Sequence, residues 1–156
     1  MATNNQSVEK PSVFGRSLQL VNGDLHFANG DFAAISGRDN FMQSMQIMIE
    51  TPFGTDIFNV NYGFDLLNLI SQPHSVRLIK ELIRLNIVKS LSLDNRVQEI
   101  KEIVFDDEKR FFELDPKQNA EESRRMHKLE RRWQAMVVVQ TITEGEVAFK
   151  LEGIGL

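Results

Sequence analysis

The chain has 156 residues, a net charge of −4 and no cysteine, which excludes disulfide bonds and sites built on cysteine thiolates. An acidic chain lacks the basic surface of a protein that lives on phosphate backbones, so no nucleic-acid partner is expected. No apolar run approaches the roughly 18 residues of a membrane span, and the polar first residues do not have the pattern of an export signal, so no membrane partner is expected.

The N-terminal region predicts a tail followed by tight turns. Residues 1–14 are rich in Asn, Gln and Ser, and such a composition buries too little apolar area to offset its ordering entropy. We therefore expect a flexible tail over 1–14 and a single domain over 15–156. Asn22-Gly23 lies between short apolar stretches, which is typical of a hairpin turn, and Asn29-Gly30 is interpreted as a second, ordinary turn.

The first helix is predicted from apolar residues that recur at intervals of three and four up to Glu50, just before Pro52. Ser36 and Asp39 precede this run with the spacing of a capping box, with Asp in place of the usual Glu. Three methionines lie in the run, and we interpret them as core, the alternative being an adaptable binding surface.

Two further helices are expected. The stretch 63–70 reads as a short helix that stops before Pro73, and Ser75 is positioned to cap a long helix that ends near Leu91. The apolar residues of the long helix spread beyond one stripe. It must be covered on more than one side, which also fits docking on a neighbouring subunit.

The C-terminal part is rich in β-branched and alternating residues, which predict strands over Val97–Phe105, Trp133–Thr143 and Glu146–Glu152. Glu144-Gly145 joins the last two as a hairpin. A charged helical insertion is predicted over about 106–132, with Asp115 as cap and Pro116 as first helical residue. The predicted fold class is α+β: an N-terminal hairpin and three helices packed on one face of a C-terminal antiparallel β-meander.

Five cations end the charged insertion, and they are interpreted as a solvated face, the alternative being an adaptor surface for an acidic partner or nucleic acid. They are Arg124, Arg125, Lys128, Arg131 and Arg132.

The residues that carry chemistry do not form a recognisable set. His26, His74 and His127 lack metal-ligand spacing, and no phosphate-loop, dinucleotide or serine-hydrolase motif occurs. We therefore expect no cofactor, no metal and no enzymatic activity. The enzymatic alternative is a cell-wall hydrolase with Glu50 and Asp56 as acid and base, testable by wall hydrolysis that Glu50→Gln abolishes.

Four short motifs in order resemble the GPW-type baseplate wedge proteins, or sheath initiators, of contractile phage tails, whose relatives occur in the type VI secretion baseplate. The resemblance covers about Gly15 to Leu151 and leaves most of the charged insertion without a counterpart. The motifs are Gly23-Asp24, Ile49-Glu50-Thr51-Pro52-Phe53-Gly54, Tyr62-Gly63-Phe64-Asp65-Leu66 and Asp94-Asn95-Arg96, the last in place of the family's Glu-Pro-Arg.

The resemblance implies a structural protein of the virion, assembled in the host cytoplasm into the tail baseplate in six copies. It would join wedge proteins to the first sheath ring and start sheath polymerisation by β-strand addition. A type VI secretion baseplate subunit of the same fold is the alternative. Glu146, Lys150 and Glu152 would limit self-pairing of the exposed edge.

The resemblance also gives roles to three sets of residues. The wedge interface would be Asp94, Asn95 and Arg96, although Asp94 and Arg96 equally suit a corner that only fixes the chain. The structural turns would be Thr51, Gly54, Tyr62 and Gly63, where the chain reverses with positive φ or close approach. The sheath-binding strands would contribute Met136, Val138, Gln140, Val147, Phe149 and Leu151.

Overall fold

The computed structural model describes residues 13–65, 74–130 and 132–155, and its backbone groups into two compact units, Met1–Gln43 and Ser44–Leu156. Helices and antiparallel strands both occur, which confirms the α+β class. No helix in the described part of the chain combines the length and hydropathy needed to cross a membrane.

The N-terminal unit is built from three short antiparallel strand pairs. β1 (Arg16–Leu18) pairs with β6 (Ala34–Ser36), β2 (Leu20–Val21) with β3 (Asp24–Leu25), and β4 (Phe27–Ala28) with β5 (Asp31–Phe32). Gln19, His26 and Ala33 bond to one another through their backbones where the pairs meet, at 2.9–3.0 Å. Two hairpins therefore branch from the β1–β6 stem.

Both Asn-Gly pairs form turns, as predicted, and both lie at hairpin tips, although a hairpin was predicted only at Asn22-Gly23. The φ angles are 55° at Asn22 and 85° at Gly23, and 53° at Asn29 and 81° at Gly30. A two-residue turn with positive φ at both central residues matches the twist of the flanking strands, and Asn-Gly adopts it at little steric cost.

Phe14, which lies inside the predicted tail, packs within this unit. The ring of Phe14 is 2% exposed and its centroid is 5.0 Å from that of Phe41, while its carbonyl accepts a 2.6 Å hydrogen bond from the Asn40 side-chain amide. Residues 1–12 of the predicted tail lie outside the described residues.

Helix α1 (Gly37–Glu50) ends before Pro52, as the sequence predicts. Met45 and Met48 are 1% and 4% exposed, so the interpretation as core holds for these two, while Met42 is half-buried. The short helix expected over 63–70 lies mostly outside the described residues, and Gly63–Asp65 is not helical.

Helix α2 (Val76–Leu91) has the predicted bounds, and the Ser75 hydroxyl accepts a 3.3 Å hydrogen bond from the Leu78 N–H as its N-cap. Its buried apolar residues recur every four positions and form one stripe: Ile79, Ile83, Ile87 and Leu91. Other apolar side chains of the helix remain exposed, among them Leu85 at 63% and Val88 at 39%.

The C-terminal sheet has three antiparallel strands, β7 (Val97–Phe105), β8 (Arg132–Thr141) and β9 (Gly145–Gly155), in the order β7-β8-β9. Both faces of β8 are buried, because successive side chains from Ala135 to Val139 are 0–7% exposed. The sheet is therefore covered on both faces, beyond the one face that the predicted packing on helices required.

The charged insertion forms helices α3 (Lys109–Leu114) and α4 (Ala120–Glu130). Phe111 of α3 is fully buried in a cluster with Val104 of β7 and Met136 of β8, so the insertion covers the second face of the sheet. Asp115 ends α3, its N–H bonding to the Phe111 carbonyl at 2.9 Å, and does not cap α4 as predicted. The Asn119 carboxamide oxygen accepts the Glu121 N–H at 2.9 Å at the start of α4 instead.

Candidate functional site

The sheet edges are the first candidate surface, and the strand order decides which strands form them. β8 lies between β7 and β9 and is paired with both, so its backbone has no open side for a further strand. Met136, Val138 and Gln140 therefore do not belong to an open edge. The prediction that these three residues lie on a strand open to the sheath is therefore wrong. Of the predicted sheath-binding residues, Val147, Phe149 and Leu151 remain, and they belong to β9.

β9 is a regular strand along most of its length. Its residues from Gly145 to Leu151 pair with β8 from Thr141 to Ala135 without a register shift, and the irregularity comes only beyond Leu151. Val147, Phe149 and Leu151 are buried, whereas Glu146, Ala148 and Glu152 are exposed and Lys150 is half-buried. Among the described residues β9 pairs with β8 alone, so its outer N–H and C=O groups form a regular row.

β7 forms the other edge and is less regular. Its pairing with β8 shifts register twice, between Val97 and Glu99 and between Ile100 and Glu102. Bulges of this kind twist an edge strand and interrupt its row of hydrogen-bonding groups. A groove of about 530 Å³ runs along this strand, and its other wall is formed by Arg84 and Val88 of α2 and by Ser92, which follows the helix.

The corner between α2 and β7 is held by Asp94 and Arg96. The Arg96 guanidinium donates to both carboxylate oxygens of Asp94, with Nε–Oδ1 at 2.8 Å and Nη2–Oδ2 at 2.5 Å, and Nη2 also donates to the Ser44 hydroxyl at 2.8 Å. The Arg96 backbone N–H bonds to Asp94 Oδ1 at 2.9 Å. This fork joins the start of β7 to α1 within the C-terminal unit.

Electrostatics at this corner favour the ionised pair. Burial alone would raise the pKa of Asp94, but hydrogen bonds from the side chain and backbone of Arg96, together with its charge, hold that pKa below its usual value. Asn95 lies between the pair and is exposed. The arrangement stiffens the corner and presents Asn95 to the surroundings.

The 51–65 loop, which follows α1, contains the predicted turn residues. The Thr51 hydroxyl donates to the Ile47 carbonyl at 2.7 Å as the helix ends. Gly54 and Gly63 have φ angles of 77° and 104°, and a Cβ at Gly63 would lie 2.5 Å from the Thr51 carbonyl oxygen. Burial raises the pKa of the half-buried Tyr62 phenol.

The two carboxylates of the enzymatic alternative have structural partners. Asp56 Oδ1 accepts the backbone N–H groups of Phe58 and Asn59 at 2.8 and 3.2 Å, and Glu50 Oε1 accepts a 2.6 Å hydrogen bond from the Gln46 amide. Within residues 13–65, 74–130 and 132–155, no group of three His, Asp or Glu side chains is placed to hold a metal ion.

The basic cluster lies on α4 and at the start of β8. Arg124 and Arg125 are exposed on α4, and the side chains of Lys128, Arg131 and Arg132 lie outside the described residues. The two described side chains are compatible with both interpretations of the cluster, a solvated face and an adaptor surface.

One exposed apolar feature escaped the sequence patterns. Ile57 and Phe58 at the tip of the 51–65 loop are 83% and 94% exposed, and Val60 is 62% exposed. The sequence feature that could have indicated this exposure is their position. The three residues occur within a run of turn-forming residues whose apolar positions follow neither the helical nor the strand periodicity.

Comparison with protein families gives one match. The model of the contractile injection system sheath initiator matches residues 15–117, which is more than half of the 156-residue chain. No curated protein and no solved structure matches the chain.

The matched range begins at the β1–β6 stem and ends just after α3, so it includes the 51–65 loop and the Asp94–Arg96 corner. A sheath initiator has a structural role in a contractile injection system, alongside sheath and baseplate components. On this match, the chain belongs to the family of contractile injection system sheath initiators.

Proposed function

We propose that this sheath initiator starts sheath polymerisation by accepting a strand of the first sheath ring along the outer edge of β9. The observation that carries the proposal is the uninterrupted pairing of Gly145–Leu151 with β8, which leaves a regular row of backbone donors and acceptors on the other side. An extended segment adds to such a row through main-chain hydrogen bonds, and alternate side chains provide specificity.

The choice of β9 over β7 follows from regularity. β7 contains two bulges in nine residues, whereas β9 is regular over seven, and bulges are a recurrent means of protecting an edge from added strands. β9 also has charges along its exposed positions, which limit pairing between two copies of the chain.

On the baseplate side, we propose that Asp94, Asn95 and Arg96 contact the wedge proteins. The fork keeps Arg96 and Asp94 in place, and the exposed Asn95 is presented on a stiffened corner. A pre-formed corner loses little conformational entropy on binding. We further propose that the contractile injection system is a phage tail with six copies of the chain in its baseplate. The alternative is a type VI secretion system, and the identity of the neighbouring genes distinguishes the two.

The strand-addition proposal is tested with two variants at Ala148, an exposed residue in the regular part of β9. Ala148→Pro removes a backbone N–H and is expected to leave baseplates formed but without sheaths in electron micrographs. Ala148→Lys keeps every N–H and adds a cation to the edge, so fewer particles should carry sheaths while the melting temperature stays near that of the original chain.

The matched control is Lys101→Pro on the opposite edge. Lys101 is the additional residue of the second β7 bulge, a place where proline is tolerated, so sheaths should form normally. Normal sheaths on Ala148→Pro baseplates would refute the β9 assignment. If the Lys101→Pro variant folds but forms no sheaths, while the Ala148→Pro variant forms them, the sheath strand must instead bind at β7 and its groove.

A further inference from the structure

The 51–65 loop presents apolar side chains on a backbone that is held in one conformation. Phe58 is 94% exposed and Ile57 83%, so neither contributes appreciably to the core of its own chain. Exposed side chains of this size, placed together, are characteristic of interaction sites.

Hydrogen bonds fix the tip of the loop. Asp56 Oδ1 accepts the N–H groups of Phe58 and Asn59, and the Asn59 carbonyl accepts the Tyr62 N–H at 2.9 Å. The Thr55 hydroxyl donates to the Pro52 carbonyl at 2.7 Å. The two apolar side chains therefore project from a closed turn.

The base of the loop is closed as well. The Phe64 N–H bonds to the Thr51 carbonyl at 2.8 Å, and the Phe53 N–H bonds to the Phe64 carbonyl at 3.1 Å. The Ser90 hydroxyl of α2 donates to the Gly63 carbonyl at 3.2 Å, which ties the base to the helix. Because the loop is ordered before it meets a partner, binding loses little further backbone entropy.

We propose that Ile57 and Phe58 are an anchor that inserts into an apolar pocket on a different protein of the baseplate. The proposal is independent of strand addition, because it uses side chains of the loop and not the backbone edge of β9. It also differs from the proposed wedge contact of residues 94–96, because the anchor lies on another loop and requires an apolar pocket in its receptor.

A second copy of the chain is not the receptor, for two reasons. An aromatic side chain buries about 150–250 Å², so two loop tips packed together fall below the roughly 800 Å² per partner of a stable interface. The groove along β7 and a second groove at the start of α4 have mixed linings, in which Arg84 and Glu102 of the first and Glu50 and Glu122 of the second lie beside apolar side chains. An aromatic anchor seated there would take these charges out of water, which costs free energy.

A lipid surface is not the receptor either. Loops and helices that settle in the headgroup region combine apolar side chains with Lys and Arg, which anionic lipids attract. Residues 51–65 contain no Lys or Arg, and Asp56 lies directly before the two apolar side chains. Its charge favours a protein pocket whose rim is basic.

The first test locates the receptor by photo-crosslinking in cells that assemble the particle. The photoreactive residue p-benzoylphenylalanine replaces Phe58 in the full chain, and in the control chain it replaces Lys117, an exposed residue in the turn after α3. We expect position 58 to crosslink to one baseplate protein, at an apolar pocket identified by mass spectrometry, and position 117 not to reach that pocket.

The second test measures affinity between that purified protein and the full chain. Phe58→Ser and Ile57→Ser should each weaken binding by at least about 30-fold, as expected for anchor residues. Lys117→Ala should leave affinity unchanged. The melting temperature of Phe58→Ser should also stay unchanged because the ring is exposed.

Three results would overturn the proposal: crosslinks at position 58 only to other copies of the chain, binding of the chain to phosphatidylglycerol vesicles that depends on Phe58, or unchanged affinity in both serine variants. The outcome is separable from that of strand addition, since Phe58→Ser keeps β9 intact and Ala148→Pro keeps the loop intact.

Discussion

Gly63→Ala should destabilise the protein more than an alanine at the other glycine of the same loop. A Cβ at position 63 would lie 2.5 Å from the Thr51 carbonyl oxygen and 2.9 Å from that of Pro52, closer than real Cβ atoms approach. At Gly54 the nearest atom would be the Val60 carbonyl oxygen, at an ordinary 3.8 Å. Both glycines have positive φ, so the two substitutions share backbone strain and differ in steric overlap.

The magnitudes follow from these two contributions. Backbone strain at a positive φ costs about 1–3 kcal/mol, and forced overlap in a packed site adds about 1–3 kcal/mol. Gly54→Ala should therefore lose about 1–3 kcal/mol and Gly63→Ala about 2–6 kcal/mol of the free energy of unfolding.

The assay is urea denaturation of both variants and of the original chain, monitored by circular dichroism. The difference between the two alanines isolates the overlap with the Thr51 and Pro52 carbonyls. Equal losses at the two positions would refute the close approach of Gly63 to the end of α1.

Three further outcomes are expected from single substitutions. Phe111→Ala should lower stability by about 3–5 kcal/mol because it empties the cluster between α3 and the sheet, whereas Phe112→Ala, at a half-buried site, should lower it less; equal losses in urea denaturation would contradict burial of the insertion. Arg96→Lys should lose about 1.5–3 kcal/mol, since an ammonium cannot reproduce the fork to Asp94, and an unchanged denaturation midpoint would count against it. The lowered pKa of Asp94 means that its contribution is complete above the unfolded-state pKa of about 3.9 and is lost as pH falls through the folded-state pKa. Thermal melts between pH 5 and pH 2 should show the gap between the original chain and Asp94→Asn closing, and a constant gap would contradict the fork.

Local signals predicted local structure well. The two Asn-Gly turns, the end of α1 before Pro52 and the Ser75 cap of α2 were all predicted, because each depends on the conformational preference of one or two residues. The end of α3 at Asp115 was not. Asp-Pro suits a helix start and a turn equally, and the side chain of Asn119 decides the start of α4.

The order of the strands and the burial of the insertion could not be predicted from the sequence. Nothing in the alternation of Trp133–Thr143 indicates that this strand lies between the other two, because pairing partners are set by tertiary contacts. Phe111 is one of two aromatic residues in a charged segment, and its burial against Val104 and Met136 follows from the path of the chain. For the candidate site, the sequence therefore indicated the strands but not which of them form the edges.

A cryo-EM map of the assembled tail end tests the central claim most directly. Strand addition predicts a segment of the first sheath ring hydrogen-bonded along β9 between Gly145 and Leu151, on the side opposite β8. A map in which that edge faces solvent, or is covered by a baseplate protein with the sheath elsewhere, would contradict the account.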